Sequence, residues 1–434
     1  MRVGRRWRRP AGNRRRVLII GENLPLARDR RLGKQVRTLV GAGFTVTVIC
    51  RSDPGNRAVA DVDVLEYAAP QDAVSRLGFV REYGYSWLMA SLRFVRAAVR
   101  PGFDVLQLCG PPDIYFPLGL VARMLGKPTL YDQRDPSPEL YAARYGGEVG
   151  LVYRILRALE AASYHSADHV TTVNGTLAGL ARTRGGLPSD RLTVVGNGPL
   201  LATTSPRPPR PRLTRGRPHL CCWTGAMGPQ DRLDLGVRVV HHLVRKEGRT
   251  DCQFAFVGDG EALSDAVRLA RELGVEEWVS FPGFLPQEAV FDHLATADVG
   301  IDPGLDDMVS PVKAFEYLAF GLPLVAFDLR EVRILAGDAG RYAPPGDVAA
   351  FAGLVGDLLD DPAARQELGR IGRRRVEDSL AWDHQEQRYL AVFDRLLDTP
   401  RAGAGRGGTG GQAAYRYSSS PRPRQTTAGE RRIT

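Results

Sequence analysis

One rhythm, broken once and then resumed, constrains this chain more than any other feature. The stretch RRVLIIGENLPLARDRRLGKQVRTLVGAGFTVTVICR reads as strand, loop, helix and strand, with VLII and TVTVIC as the strands and a helix between them that ends near Gly41 and Gly43. That is a parallel crossover unit, since parallel strands need a connection long enough to return to the same edge. DVLEY, DVLQLC, PTLYD, HVTTVN and LTVVGN continue the series, separated by helical stretches. SPRPPRPRLTRGRP, residues 205–218, then interrupts it with five prolines and five arginines and reads as a linker by composition. After it come LCCWTGA, QFAFVG, WVSFPG, DVGID, LPLVAF and RYAPPGD, again alternating with helices. Two alternating halves around a linker predict an α/β protein of two doubly wound, Rossmann-like domains facing a cleft. The expected bounds are 16–204 and 219–380, followed by a helix over 381–400 that crosses back to the first domain.

Composition narrows the function classes. The 434 residues leave room for two domains, and 43% hydrophobic content suits a globular core. No run of about 18 uncharged apolar residues occurs, so no transmembrane helix is predicted. The net charge of +10 comes from the ends. Residues 1–16 hold eight arginines and no acid, and residues 401–434 hold seven arginines and Glu430, so the tails carry +14 and the core −4. A mildly acidic core argues against a specific nucleic-acid partner. The glycine-, serine- and proline-rich tail 401–434 and the basic residues 1–15 are expected to be disordered. They are read either as solvated or as a contact with an anionic membrane. The N-terminus runs into VLII without an apolar signal core, and the five cysteines form no CxxC pair, so a reducing cytoplasm is expected.

In doubly wound sheets ligands sit at the carboxyl ends of the strands, and here those ends carry glycine: IIGEN, CWTGAMG, FVGDGE and FPGF. No GxGxxG opens the first helix, which disfavours a nicotinamide or flavin enzyme. HExxH spacing is also absent, so no zinc site is proposed. SPVKAFEYLAFGLP poses a sharper question. Ser310 suits an N-cap, Pro311 the first helical position, and Gly321 with Pro323 the end, while Val312, Phe315, Leu318 and Ala319 form the buried face. Lys313 then sits in the first turn, where the helix dipole disfavours a cation. It either pairs on the surface with Glu316, worth roughly 0.2–0.5 kcal/mol, or it meets an anion.

YDQRDPSPELY, VTTVNGTLAGLA, LTVVGNGP, TGAMGPQDRLD, FVGDGE, VSFPGFLP, TADVGIDP and SPVKAFEYLAFGLP occur in this order, and together they resemble bacterial retaining glycosyltransferases of family 4, with a GT-B architecture. The resemblance covers residues 16–398. It implies a nucleotide-diphospho-sugar donor bound mainly by the C-terminal domain, with no other cofactor and no metal. Ser310 and the helix start would face the donor diphosphate, Lys313 would neutralise it, and Glu316 would accept hydrogen bonds from ribose hydroxyls. Gly225, Gly228 and Gly258 would let loops approach the donor, with Gln230, Asp231 and Arg232 as the polar groups presented. Arg232 is the candidate for holding pyrophosphate, and Asp231 is read equally as a helix cap. Gly283 and Phe284 match the loop that reads the base.

Two positions depart from the family pattern. Arg134 stands where relatives carry a histidine beside the donor sugar; a guanidinium can hydrogen-bond a hydroxyl or phosphate but cannot act as a base. Met308 stands where many relatives carry a glutamate, with Asp306 or Asp307 as substitutes. Asp135 and Glu139 are further polar groups, read as cleft-lining or structural. Front-face retaining transfer needs no protein nucleophile, so the expected function is transfer of a sugar to the hydroxyl of a glycan, a lipid-linked sugar or a small metabolite. The departures keep open a catalytically weakened sugar-nucleotide-binding subunit, and the fold keeps open a sugar-nucleotide epimerase. The segment 79–100 mixes aromatics with Arg81, Arg93, Arg96 and Arg100, and reads either as a half-buried helix or as a dock for anionic headgroups at the inner membrane face.

Overall fold

A computed structural model of the chain describes residues 15–68, 76–145, 150–308 and 310–398. The tails expected to be disordered lie outside these residues, apart from Arg15. The N-terminal lobe is a 7-stranded parallel sheet built from β1 (Arg16–Ile20), β2 (Thr45–Arg51), β3 (Val62–Tyr67), β4 (Val105–Gly110), β5 (Thr129–Gln133), β6 (His169–Thr172) and β7 (Leu192–Val194). Its order is β3-β2-β1-β4-β5-β6-β7. The C-terminal lobe is a 6-stranded parallel sheet of β8 (His219–Thr224), β9 (Cys252–Val257), β10 (Val279–Gly283), β11 (Val299–Asp302), β12 (Leu324–Phe327) and β13 (Gly340–Ala343), in the order β10-β9-β8-β11-β12-β13. Both orders reverse direction beside their first strand, β1 or β8, which opens a crevice at the carboxyl ends there. These are two Rossmann-like domains of the GT-B kind.

The central strands are covered on both faces, so they read as continuous apolar runs rather than alternating ones. Val17 and Ile19 of β1 point into one layer with the helix Arg30–Gly41, while Leu18 and Ile20 point into the opposite layer with Phe94, Leu118 and Tyr164. The first layer is completed from the far end of the chain. The helix Trp382–Asp398 lies against Arg30–Gly41, burying Trp382, Tyr389, Val392 and Phe393 among N-terminal residues. Trp382 Nε1 donates to Thr38 Oγ1 at 2.9 Å, and Tyr389 Oη donates to Gln107 Oε1 at 2.5 Å.

The chain passes between lobes twice, and the two passages touch. Gly196 N donates to Gln385 Oε1 at 3.0 Å and Trp382 N to Pro199 O at 2.9 Å. At Gly198 an added Cβ would lie 1.7 Å from Leu380 O, so a side chain there has no room. The proline-rich stretch 205–218 is no free tether. Arg207 pairs with Glu288, Arg210 N donates to Thr296 Oγ1 at 2.8 Å, and Leu213 packs on the C-terminal core.

A candidate donor cleft

The carboxyl ends of β8, β9 and β10 are laced by main-chain hydrogen bonds: Gly225 N donates to Val257 O at 3.0 Å, and Gly258 N to Gly283 O at 3.1 Å. Gly258 has φ +150°, and a Cβ there would lie 1.8 Å from Gly225 O, so close loop approach requires glycine. Gly225 in turn leaves room for Lys313, whose Cε would be 3.2 Å from a Cβ at that position. Phe284, just beyond β10, is 73% exposed. Gly228 N donates to Asp231 Oδ2 at 3.2 Å, so Asp231 does bond back within its own loop, and Gln230 folds over Gly228 at the exposed tip.

Lys313 is the pivot of this end. Its side chain is 11% exposed, and Nζ donates to Asp231 Oδ1 at 2.9 Å and to Asp302 Oδ1 at 3.4 Å. The ammonium also stands 4.7 Å from the centre of the Trp223 ring, a cation–π contact inside a shielded site. Burial works against its charge, but the two aspartates outweigh burial and raise its pKa above the ordinary lysine value. A surface pair with Glu316 is therefore not what holds Lys313. Glu316 is buried and faces the other lobe, where Arg30 Nη1 lies 2.5 Å from Oε1. Burial raises its carboxyl, with Arg30 and Lys34 pulling the other way.

The helix start differs from the sequence expectation. The helix runs Val312–Phe320 with Pro311 at the cap position and no side-chain cap, closing on Gly321 at φ +72°. Ser310 is not the N-cap: its hydroxyl donates to Glu331 Oε2 at 2.8 Å and accepts from Asn174 Nδ2 at 3.2 Å. Val312, expected in the core, is 43% exposed, whereas Ala314 to Phe320 are buried on all sides. Asn174, which caps the helix Gly175–Gly185 through Leu177 N, also donates to Met308 O at 2.9 Å. The N-terminal lobe thus holds the segment that precedes Lys313.

Arg232 is engaged within its own turn. It sits at φ +51° and forms a fork with Asp234, both contacts at 2.9 Å. Across the cleft, Arg134 is fixed by Asp29 and by Asp132 Oδ2 at 3.3 Å, with Cys109 Sγ at 3.2 Å. Asp132 is a hub that the sequence reading passed over: Arg31 grips both its oxygens at 3.0 and 2.7 Å, and Gln35 and Thr171 donate to it as well. Burial opposes its ionisation, yet Arg31 and these donors hold its pKa well below the usual carboxylate range. Burial pushes Asp135 up to about 6, Arg134 opposes this, and the charge of Asp306 from the other lobe adds to it. Glu139 is taken by Arg184 and Tyr153. Asp307 Oδ1 accepts from Arg330 N, and Asp306 Oδ1 from Met308 N at 2.8 Å. Arg30, Asp302 and Trp223 were not singled out in the sequence; Asp302, ending the strand motif VGID, was the most legible of them. Among the described residues no group of three or more His, Cys, Asp or Glu is disposed to hold a metal ion.

Two parallel-sheet domains facing each other across a cleft, with glycine-lined strand ends, define a protein of the GT-B fold class. The family model described as "Glycosyl transferase 4-like domain" matches residues 29–198, and "Glycosyl transferases group 1" matches residues 218–361. The chain belongs to this glycosyltransferase family. It is 30% identical over 171 residues to the MMP alpha-(1->4)-mannosyltransferase of Mycolicibacterium hassiacum, covering 38% of this chain and 41% of that protein. The aligned stretches span about half or less of the length of the first curated relatives it matches. Among solved structures, sucrose-phosphate synthase from Thermosynechococcus elongatus superposes with a TM-score of 0.70 at 18% identity, over 88% of this chain and 99% of that one. Anabaena HepE, solved with UDP and glucose, gives 0.69 at 14% identity, over 87% and 99%. These likenesses establish the fold.

Proposed function

We propose that this chain is a retaining glycosyltransferase that moves a sugar from a nucleotide-diphospho-sugar to an acceptor hydroxyl. The observation that carries the reading is Lys313, a buried cation in the first turn of a helix that opens beside the glycine-lined ends of β8 and β9. Helix N–H groups and an ammonium together favour an anion there. The donor diphosphate would lie against Lys313, the ribose hydroxyls on Glu316, and the base on the exposed ring of Phe284. As the sugar's C1–O bond breaks, the acceptor oxygen bonds to C1 on the same face. The departing phosphate oxygen takes the acceptor's proton, so no protein base is needed. Lys313 stabilises the charge that collects on the leaving diphosphate. Arg134, held by two aspartates, is a fixed positive group beside the sugar rather than a mobile acid or base.

HepE, solved with UDP and glucose, supports a nucleotide-sugar donor. Lys313→Ala tests the reading against panels of UDP- and GDP-sugars. Loss of one charge-assisted phosphate contact, on the order of 1.5–3 kcal/mol, should cut turnover about tenfold or more with circular dichroism unchanged. Unaltered kinetics would sink the assignment. Tight donor binding without nucleotide-diphosphate release in the wild type would instead favour the binding-subunit reading, for which the fully engaged Arg134 is the specific motive.

A membrane-side acceptor fits the outer face of the N-terminal lobe. Helices Arg76–Val99, Phe116–Met124 and Leu151–Ser166 pack on one side of the sheet and expose Leu92, Val95, Val99, Met124, Leu151 and Ile155 outward. The exposed charged residues described on them are arginines, among them Arg81, Arg96, Arg123 and Arg154. Apolar groups interspersed with arginine suit an anionic headgroup layer. No described helix is long and apolar enough to cross a membrane. Salt-sensitive sedimentation with phosphatidylglycerol vesicles should persist after both tails are trimmed; its loss on trimming would assign the attraction to the tails.

A further inference from the structure

We infer that Arg30, supplied by the N-terminal lobe, is the cation that clasps the donor's diphosphate in the closed cleft, completing a site that the C-terminal lobe leaves short of positive charge. The inference rests on the reading of the C-terminal lobe as the nucleotide-sugar site. Lys313 is shared between Asp231 at 2.9 Å and Asp302 at 3.4 Å, so its immediate surroundings are net negative before any donor enters. Arg232, the cation of the loop that follows β8, is spent on a fork with Asp234. Glu316 adds a further carboxyl one turn along the helix from Lys313. A diphosphate brought to this end by Lys313 alone would face more negative than positive charge.

The missing charge comes from the opposite wall. Arg30 opens the helix Arg30–Gly41, just after its N-cap Asp29, and its side chain is half exposed. Nη1 reaches Glu316 Oε1 across the cleft. Glu316 and Lys313 are three residues apart on one helix face, so Arg30 stands within a turn of the expected phosphates. A guanidinium offers five N–H donors, and the contact with Glu316 uses one. One turn on, Lys34 donates to Asn197 O at 3.0 Å and Gly198 O at 2.6 Å, where the chain passes between lobes, and burial lowers its pKa to about 7, so it adds less positive charge at this wall than Arg30 does. Without donor, Arg30 and Glu316 hold each other. With donor, the ribose takes Glu316 and the guanidinium turns its free N–H groups to phosphate.

The test is calorimetric titration of the full-length wild type, Arg30→Ala, Arg30→Lys and Lys313→Ala with UDP, GDP and the matching monophosphates, with circular dichroism as the folding control. Arg30→Ala should weaken the diphosphate that the wild type binds by tenfold or more and the monophosphate by less than threefold, with Arg30→Lys recovering part of the loss. Tighter binding of both nucleotides by Arg30→Ala would overturn the inference, because Arg30 would then be only a latch competing for Glu316. Unchanged binding by Arg30→Ala beside weakened Lys313→Ala would also overturn it while leaving the donor site standing. If the wild type binds neither nucleoside diphosphate, the donor-site reading falls and the clasp with it.

Discussion

Arg232 holds a left-handed backbone, φ +51° and ψ +46°, in the turn that leads from the β8 loop into the helix Leu233–His241. A side chain in that region costs roughly 1–2 kcal/mol from the clash of Cβ with the backbone. The fork with Asp234 is partly exposed and returns only about 0.2–1 kcal/mol. Arg232→Gly should therefore raise the unfolding free energy by about 0.5–1 kcal/mol, seen as a higher urea midpoint at unchanged slope. It should leave nucleotide affinity alone, since the Arg232 guanidinium is engaged by Asp234. A fall in affinity would mean that this arginine swings back onto the donor. Lys313 is the opposite kind of residue: its pKa is raised because two carboxylates outweigh its burial. Replacing it leaves Asp231 and Asp302 together without a cation.

At the scale of elements, the joint between lobes depends on a helix cap with two duties. Asn174 Oδ1 accepts from Leu177 N at 2.8 Å, while Nδ2 donates to Met308 O and Ser310 Oγ in the other lobe. Asn174→Ala loses both functions and should cost about 1–2 kcal/mol of stability. Asn174→Asp keeps the cap but has no amide to donate. It should stay near wild-type stability while raising the donor KM several-fold, because the segment before Lys313 is no longer held; an unchanged KM would separate the two lobes' roles. The same region marks the limit of what the sequence discloses. The central strands were legible because strands buried on both faces become runs such as VLII and QFAFV, and the edge strands β3, β7 and β10, only partly buried, were legible from the alternating rhythm around them. The glycine-lined strand ends and Lys313 were legible for a related reason, being local patterns. The Ser310 cap was misread since a serine before a helix is a statistical preference, and here Glu331 and Asn174 compete successfully for its hydroxyl. Arg30 with Glu316 is separated by 286 residues, and no local pattern announces such a contact.

The molecule as a whole is tied together by its last described helix and carries charges on both walls of its cleft. Trp382 is buried in the N-terminal core with its indole on Thr38. Trp382→Ala should cost about 3–5 kcal/mol, read by chemical denaturation, and should loosen both passages between lobes. Across the cleft Arg30 and Glu316 attract, while Asp135 and Asp306 are charges of like sign. Asp135 is raised from 3.8 to about 6, first by burial, against the pull of Arg134, and further by Asp306 from the other lobe. An acid raised in the folded state stabilises most fully when protonated, so its contribution is present below pH 3.8 and lost as pH rises through about 6. Above that pH the protein carries an ionised, partly buried carboxylate in the field of Asp306. Asp135→Asn removes the charge at every pH, so it should stabilise relative to wild type at pH 8 by up to about 2–3 kcal/mol, and by about half as much at pH 5, where part of the loss has already occurred. Asp306→Asn should move the wild-type transition to lower pH by withdrawing one of the charges that raises Asp135. Urea unfolding of the three proteins from pH 5 to 8 decides it. A gain for Asp135→Asn that is equal at both ends of that range would mean that the carboxyl is ionised throughout and that closure does not depend on its proton.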